Sequence, residues 1–202
     1  RRDRIQTVAP HLRLGVASNA AYVRRAGGEV AILDPTAGKL SLDELTDRIA
    51  EMRPRYLCLP AYTEEVRDAA SVADRVKQAA PETTTILGGY HISALPEQTL
   101  EEFACFDFGI VGEGERALAD VLAGVDPASI PGAVHRTASG VNVNPPRSEP
   151  LPLDDLPFPA WDLYDLPTYG AGLPIEPLRG CPYGCVFCFR ALGRGVTYKS
   201  PE

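Results

Sequence analysis

The stretch TTILGGYHISALPEQTL, residues 84–100, decides the fold. Its first four residues, Thr84–Leu87, are a short β-branched and apolar run, as expected of a strand covered on both faces. Gly88-Gly89 breaks the run, and Pro96 is suited to the first turn of a helix that follows. Working outward, the same unit recurs. Val30–Leu33, Tyr56–Leu59 and Phe108–Val111 are further short apolar runs. Helical spacing fills the intervals. Leu12, Val16, Ala20 and Val23 lie on one stripe that stops at Gly27-Gly28. Ser41 and Glu44 form a capping box ahead of Leu42, Leu45, Ile49 and Met52. Val66, Ala70, Ala73 and Val76 make another stripe, and Leu118, Val121 and Leu122 a last one. Strands alternating with helices predict an α/β, doubly wound parallel sheet of the Rossmann or flavodoxin type over residues 1–125.

Sheets of this kind bind ligands beyond the carboxyl ends of their strands. The residues that fall there are Tyr62 and Thr63, then Gly88, Gly89, Tyr90 and His91, then Gly112, Glu113, Gly114 and Glu115. Glycine there admits a close-lying ligand, but tight strand-to-helix turns need it equally. "GEGE" is not a GxGxxG fingerprint, and no Walker loop occurs. His91 reads as a hydrogen-bonded loop histidine.

Beyond residue 125 the composition shifts. Ile130–Arg136 and Val141–Asn144 flank a glycine-containing turn and predict a β-hairpin. The following stretch, rich in Pro and Asp, reads as an extended surface connector within residues 126–170, anchored by the packing of Trp161. Residues 171–202 form a third unit in which Pro174–Leu178 is expected to be a strand entering a cysteine-rich loop.

The whole-chain properties narrow the function classes. A formal charge of −7, without a block of Lys or Arg, gives no electrostatic footprint for nucleic acid. No apolar run approaches the ~18 residues of a membrane span. Three of the five cysteines crowd into one loop, a usage that fits a reducing cytoplasm better than a disulfide framework. Cys58 and Cys105 read as small core hydrophobes. The chain opens without Met and closes at Ser200-Pro201-Glu202, which reads as part of a longer protein.

Cys181, Cys185 and Cys188 admit three readings. A structural zinc site wants four ligands, and no His follows Cys188. A thioredoxin-like pair would use Cys185 and Cys188 and leave Cys181 unexplained. An iron–sulfur cluster held by three thiolates keeps one iron open to another ligand.

Here the residues resemble a known family. CPYGCVFC, residues 181–188, is similar to the CxxxCxφC signature of radical S-adenosylmethionine (SAM) enzymes, with Arg179-Gly180 ahead of it. LGVASNAAYVRRAGGEVAILDP (14–35), ILGGYHISALPEQTL (86–100), FDFGIVGEGERAL (106–118) and LPFPAWDL (156–163) resemble recurring segments of the cobalamin-binding domain that precedes many of them. The resemblance implies that Cys181, Cys185 and Cys188 ligate a [4Fe-4S] cluster whose open iron chelates SAM, with Phe187 beside the adenine. It implies cobalamin over the strand ends near Tyr62, Thr63, Gly88, Gly89, Tyr90, Gly112 and Glu113. The activity implied is formation of a 5′-deoxyadenosyl radical, most often for methyl transfer to an unactivated carbon or a phosphinate of a small-molecule substrate. An external electron donor of flavodoxin or ferredoxin type would reduce the cluster. Ring formation or rearrangement without net methylation, or a non-catalytic iron–sulfur module, remain open. The histidine-on motif DxHxxG is absent, so neither His11 nor His91 is expected below the cobalt. Residues 1–10 read as the loop after a first strand, and the rest of a truncated radical SAM barrel is expected beyond Glu202, leaving this stretch inactive alone.

Overall fold

The computed structural model describes residues 12–170, 172–193 and 195–201. The loop expected over residues 1–10, and His11, lie outside the described residues. Helix α1 (Leu14–Arg25) follows the predicted stripe and stops at Gly27, where φ is +93°. A short α2 (Pro35–Gly38) is capped by the Asp34 carboxylate, which accepts from the Thr36 and Ala37 amides. In α3 (Leu42–Met52) the capping box forms as read: the Glu44 amide donates to Ser41 Oγ, and the Ser41 amide donates to Glu44. Strand β1 (Tyr56–Pro60), α4 (Val66–Ala79), β2 (Thr84–Gly88), α5 (Tyr90–Ala94), α6 (Pro96–Glu102, with Pro96 in its first turn), β3 (Phe108–Ile110) and α7 (Glu115–Leu122) complete the alternating part.

β1, β2 and β3 pair in parallel, Cys58 opposite Ile86 and Leu87 opposite Gly109. Neighbouring residues of β2 face opposite layers, as the pleat requires. Leu87 packs with Ala69, Ala70, Ala73, Ile92 and Leu100 of α4, α5 and α6. Ile86 packs with Ala117 and Val121 of α7 on the other side. The doubly wound expectation holds for this part.

Three expectations are corrected. Val30–Leu33 forms no ladder among the described residues. Its side chains divide between two clusters, Val30 and Ile32 against Ala20, Ala21 and Ala160, and Leu33 beside Leu45 and Ile49. The hairpin, β4 (Ala133–Thr137) and β5 (Gly140–Val143), joins the sheet antiparallel to β3 and makes it mixed. The buried β3 needs a partner on that edge, and Arg136 secures it by donating to the carbonyls of Leu100, Phe103 and Phe106. The connector does not merely lie on the surface, since Leu151, Leu153, Ala160 and Trp161 are all buried. Its prolines and aspartates mask a set of apolar anchors. Cys105 is buried as expected.

Candidate functional site

The carboxyl edge of the sheet is built by two loops that hold each other. The Ala61 amide donates to the Gly88 carbonyl at 3.1 Å, and the His91 amide donates to the Ala61 carbonyl at 3.1 Å. Between them Gly89 has φ +92°, and a Cβ there would lie 2.9 Å from the Ala61 oxygen, so a side chain is excluded. A Cβ on Gly88 would meet nothing within 4 Å. The half-exposed rings of Tyr62 and Tyr90 stack on each other, centroids 5.3 Å apart and planes at 10°. His91 is buried with Nδ1 3.2 Å from Thr63 Oγ1, the hydrogen-bonded loop histidine expected from its position. Gly88 thus presents open backbone, and two half-exposed aromatic rings stand in the same pair of loops.

Arg13 was not legible as part of this edge. Its guanidinium lies 6.0 Å from the Tyr62 ring centre and pairs with Glu65, which also accepts the Tyr62 amide. The hydrogen bond that Arg13 donates to Glu65 raises the arginine pKa against the opposing effect of burial. At the third strand, Gly112 has φ +77° and its amide donates to Ser93 Oγ at 3.0 Å. Thus Tyr62, Thr63, Gly88, Gly89, Tyr90 and His91 form one group, and Gly112, Glu113 and Glu115 border a second.

That second group includes the cysteine loop. Strands β6 (Leu178–Gly180) and β7 (Val196–Tyr198) pair antiparallel and bracket it. The expected strand at Pro174–Leu178 is therefore present only from Leu178, where a partner strand is available. Gly180 has φ +96°, and a Cβ on it would collide with the Gly195 carbonyl at 2.0 Å. The Cys188 amide donates to the Cys185 carbonyl at 3.2 Å, making a turn around the exposed Val186 and Phe187. Cys181 is half-buried, Cys185 and Cys188 are exposed, and all three are free thiols. A convergence of these three side chains is the natural expectation for a cluster loop. Among the described residues no His, Cys, Asp or Glu trio is gathered to hold a metal ion, so the thiols do not converge. The donor chemistry, three free thiols within eight residues, nevertheless fits an iron–sulfur cluster.

One flank of the loop is anchored firmly. Arg179 donates from Nη1 to Glu113 (3.0 Å), from Nη2 to Glu115 (2.9 Å), and from Nε and Nη2 to Glu176 (3.1 and 2.7 Å). The Arg179 side chain is 10% exposed and that of Glu115 is 3% exposed. Burial alone would lower the arginine pKa, but Glu176 and Glu115 hold it well above its ordinary value.

Residues 5–122 match the family model described as the B12 binding domain. This chain belongs to that family. An uncharacterized methyltransferase of Pyrococcus horikoshii is 32% identical over 194 residues, 92% of this chain and 42% of the relative. An anaerobic magnesium-protoporphyrin IX monomethyl ester cyclase of Rubrivivax gelatinosus is 27% identical over 189 residues, 86% of this chain and 34% of the relative. This chain thus spans less than half the length of either. The solved structure of the cobalamin-dependent S-adenosylmethionine radical enzyme OxsB, with aqua-cobalamin and S-adenosylmethionine bound, superposes with a TM-score of 0.81 at 22% identity. The superposition covers 95% of this chain and 28% of that one, and establishes the fold. Among the described residues no helix is long and apolar enough to cross a membrane.

Proposed function

We propose that this chain supplies the cobalamin-binding part and the cluster loop of a cytoplasmic radical SAM methyltransferase. The observation that carries the reading is that the CxxxCxxC loop is anchored, through Arg179, on the carboxyl edge of a B12 binding domain. When bound, the [4Fe-4S] cluster with SAM would supply one-electron radical chemistry and cobalamin would supply methyl delivery. This chain's own residues bind and orient them. Cys181, Cys185 and Cys188 offer thiolates and leave one coordination position for SAM. Phe187, its ring exposed, lies between two of those cysteines, where it can flank an adenine. Tyr62, Thr63, Gly88, Gly89, Tyr90, Gly112 and Glu113 border the edge on which the corrin would rest, and His91, bonded to Thr63, serves the loop and not the cobalt. The substrate is a small molecule with an unactivated carbon or phosphinate, and the electron comes from a flavodoxin- or ferredoxin-type donor.

The test is anaerobic reconstitution of the full-length protein with iron, sulfide and hydroxocobalamin. We expect about four irons per chain, corrinoid absorbance that survives desalting, and 5′-deoxyadenosine on reduction with SAM. Cys185→Ala is expected to lose iron and SAM cleavage while keeping corrinoid. Deoxyadenosine production by that variant overturns the cluster assignment. The similarity to a cyclase favours a second reading, radical ring formation without net methylation. A product lacking a SAM-derived methyl group would select it.

A further inference from the structure

We infer that Arg179 is a positioning residue, which sets the thiol loop against the cofactor edge by acting through Glu113 and Glu115. The inference rests on the reading that the loop holds a cluster and the edge holds cobalamin, and adds what fixes one to the other. The Glu176 pair lies three residues from Arg179 and could form in an isolated hairpin. The bonds to Glu113 and Glu115 instead reach back 66 and 64 residues, to the turn that leaves β3. Glu113 uses its other oxygen to accept the Leu151 amide at 3.3 Å, so the turn, the connector and the loop meet at one carboxylate. The far flank of the loop rests on the same turn. A Cβ on Gly112 would touch Leu192 Cδ2 at 3.7 Å and the Ala191 oxygen at 3.8 Å. Both ends of the loop are thereby seated on residues 112–115.

The chemistry of this latch is specific to arginine. Its planar fork satisfies three carboxylates in different directions, a geometry that a lysine ammonium does not reproduce. Because Arg179 and Glu115 are shielded from water, salt does not loosen them as it does a surface pair, and removal of Arg179 strips the buried Glu115 carboxylate of this partner. Arg179 stands two residues before Cys181, with Gly180 fixed against Gly195 between them, so a displaced guanidinium displaces the first thiol.

Two measurements on the anaerobically reconstituted full-length protein test this. One is amide hydrogen exchange. The other is the dipolar distance between the reduced cluster and cob(II)alamin read by pulsed electron paramagnetic resonance. Arg179→Lys and Arg179→Met should keep iron and corrinoid, raise exchange across residues 181–192 about tenfold, and leave β2 unchanged. They should broaden the distance distribution between the cofactors, which a role confined to folding would not. Glu113→Gln should raise the same exchange, and the double variant Arg179→Met/Glu113→Gln should be no worse than Arg179→Met. Should Arg179→Met not fold, Glu113→Gln carries the test, since Glu113 is the more exposed partner. Loop exchange unchanged in Glu113→Gln and in both Arg179 variants overturns the inference. So does an unbroadened distance distribution in Arg179→Met or Arg179→Lys. Loss of cofactors from the wild type would instead refute the functional reading, with the exchange data still deciding the latch.

Discussion

The ring of Tyr62 stacks on that of Tyr90 at 5.3 Å, tying the segment after β1 to the segment after β2. A stacked aromatic pair contributes about 0.5–1.5 kcal/mol beyond its buried area. Tyr62→Ala and Tyr90→Ala should each weaken cobalamin retention about 2–10-fold, with little added in the double variant. Equilibrium titration of the full-length protein with hydroxocobalamin checks this, and wild-type affinity in both variants would remove the rings from the cofactor surface.

Gly89 and Gly88 are adjacent but not equivalent. Gly89→Ala places a Cβ against the Ala61 oxygen at φ +92°, and should cost about 1–3 kcal/mol. Gly88→Ala enters open space and should change stability by no more than about 0.5–1 kcal/mol. Thermal unfolding of the two variants side by side distinguishes a strained turn from a general intolerance of the strand end.

The connector's apolar anchors are expected to behave as core. Leu153→Ala, at 1% exposure, should cost about 2–5 kcal/mol. Phe158→Ala, in the same segment at 87% exposure, should stay within about 0.5 kcal/mol of wild type. Equal effects in urea unfolding would mean that the connector does not pack as described.

The α3 cap couples stability to pH. Ser41→Ala should cost about 0.5–2 kcal/mol at neutral pH. The hydrogen bonds from Ser41 hold the Glu44 carboxyl below its ordinary pKa. A depressed acid stabilises the folded state above its unfolded pKa, and the contribution is lost as pH falls through the folded one. The stability gap between wild type and Glu44→Gln should therefore be largest near neutrality and close on acidification below about pH 4. A gap independent of pH would refute the cap's ionic part.

The cysteines should separate by reactivity. Burial, and then the charge of Asp74, pushes the Cys105 thiol up to about 11, so at pH 8 roughly one molecule in a thousand carries its thiolate. Cys185 and Cys188 are exposed. Iodoacetamide added to iron-free protein should label both well before Cys105, as peptide mass mapping would show.

The sequence by itself determined the elements whose causes are local. The alternation of apolar runs with helical stripes yielded β1, β2 and β3 with the helices between them, because strand and helix periods are written within a few residues. The Ser41–Glu44 box was legible for the same reason, its two bonds spanning three positions. The turns at Gly88-Gly89 and Gly112–Glu115 and the three-cysteine loop were likewise visible as motifs.

What those motifs touch was decided only by the tertiary structure. Val30–Leu33 has a strand's composition but forms no ladder among the described residues, and its side chains pack into two separate clusters. The hairpin reads the same whether free or docked, and the edge left by β3 made it part of the sheet. The Tyr62–Tyr90 stack and the Arg13–Glu65 pair join residues brought together only by the crossovers. The same holds for Arg179, whose bonds to Glu113 and Glu115 cross more than sixty positions of chain and leave no period or spacing to read. Local patterns named the parts of the site, while burial and long-range electrostatics determined which of them share an edge.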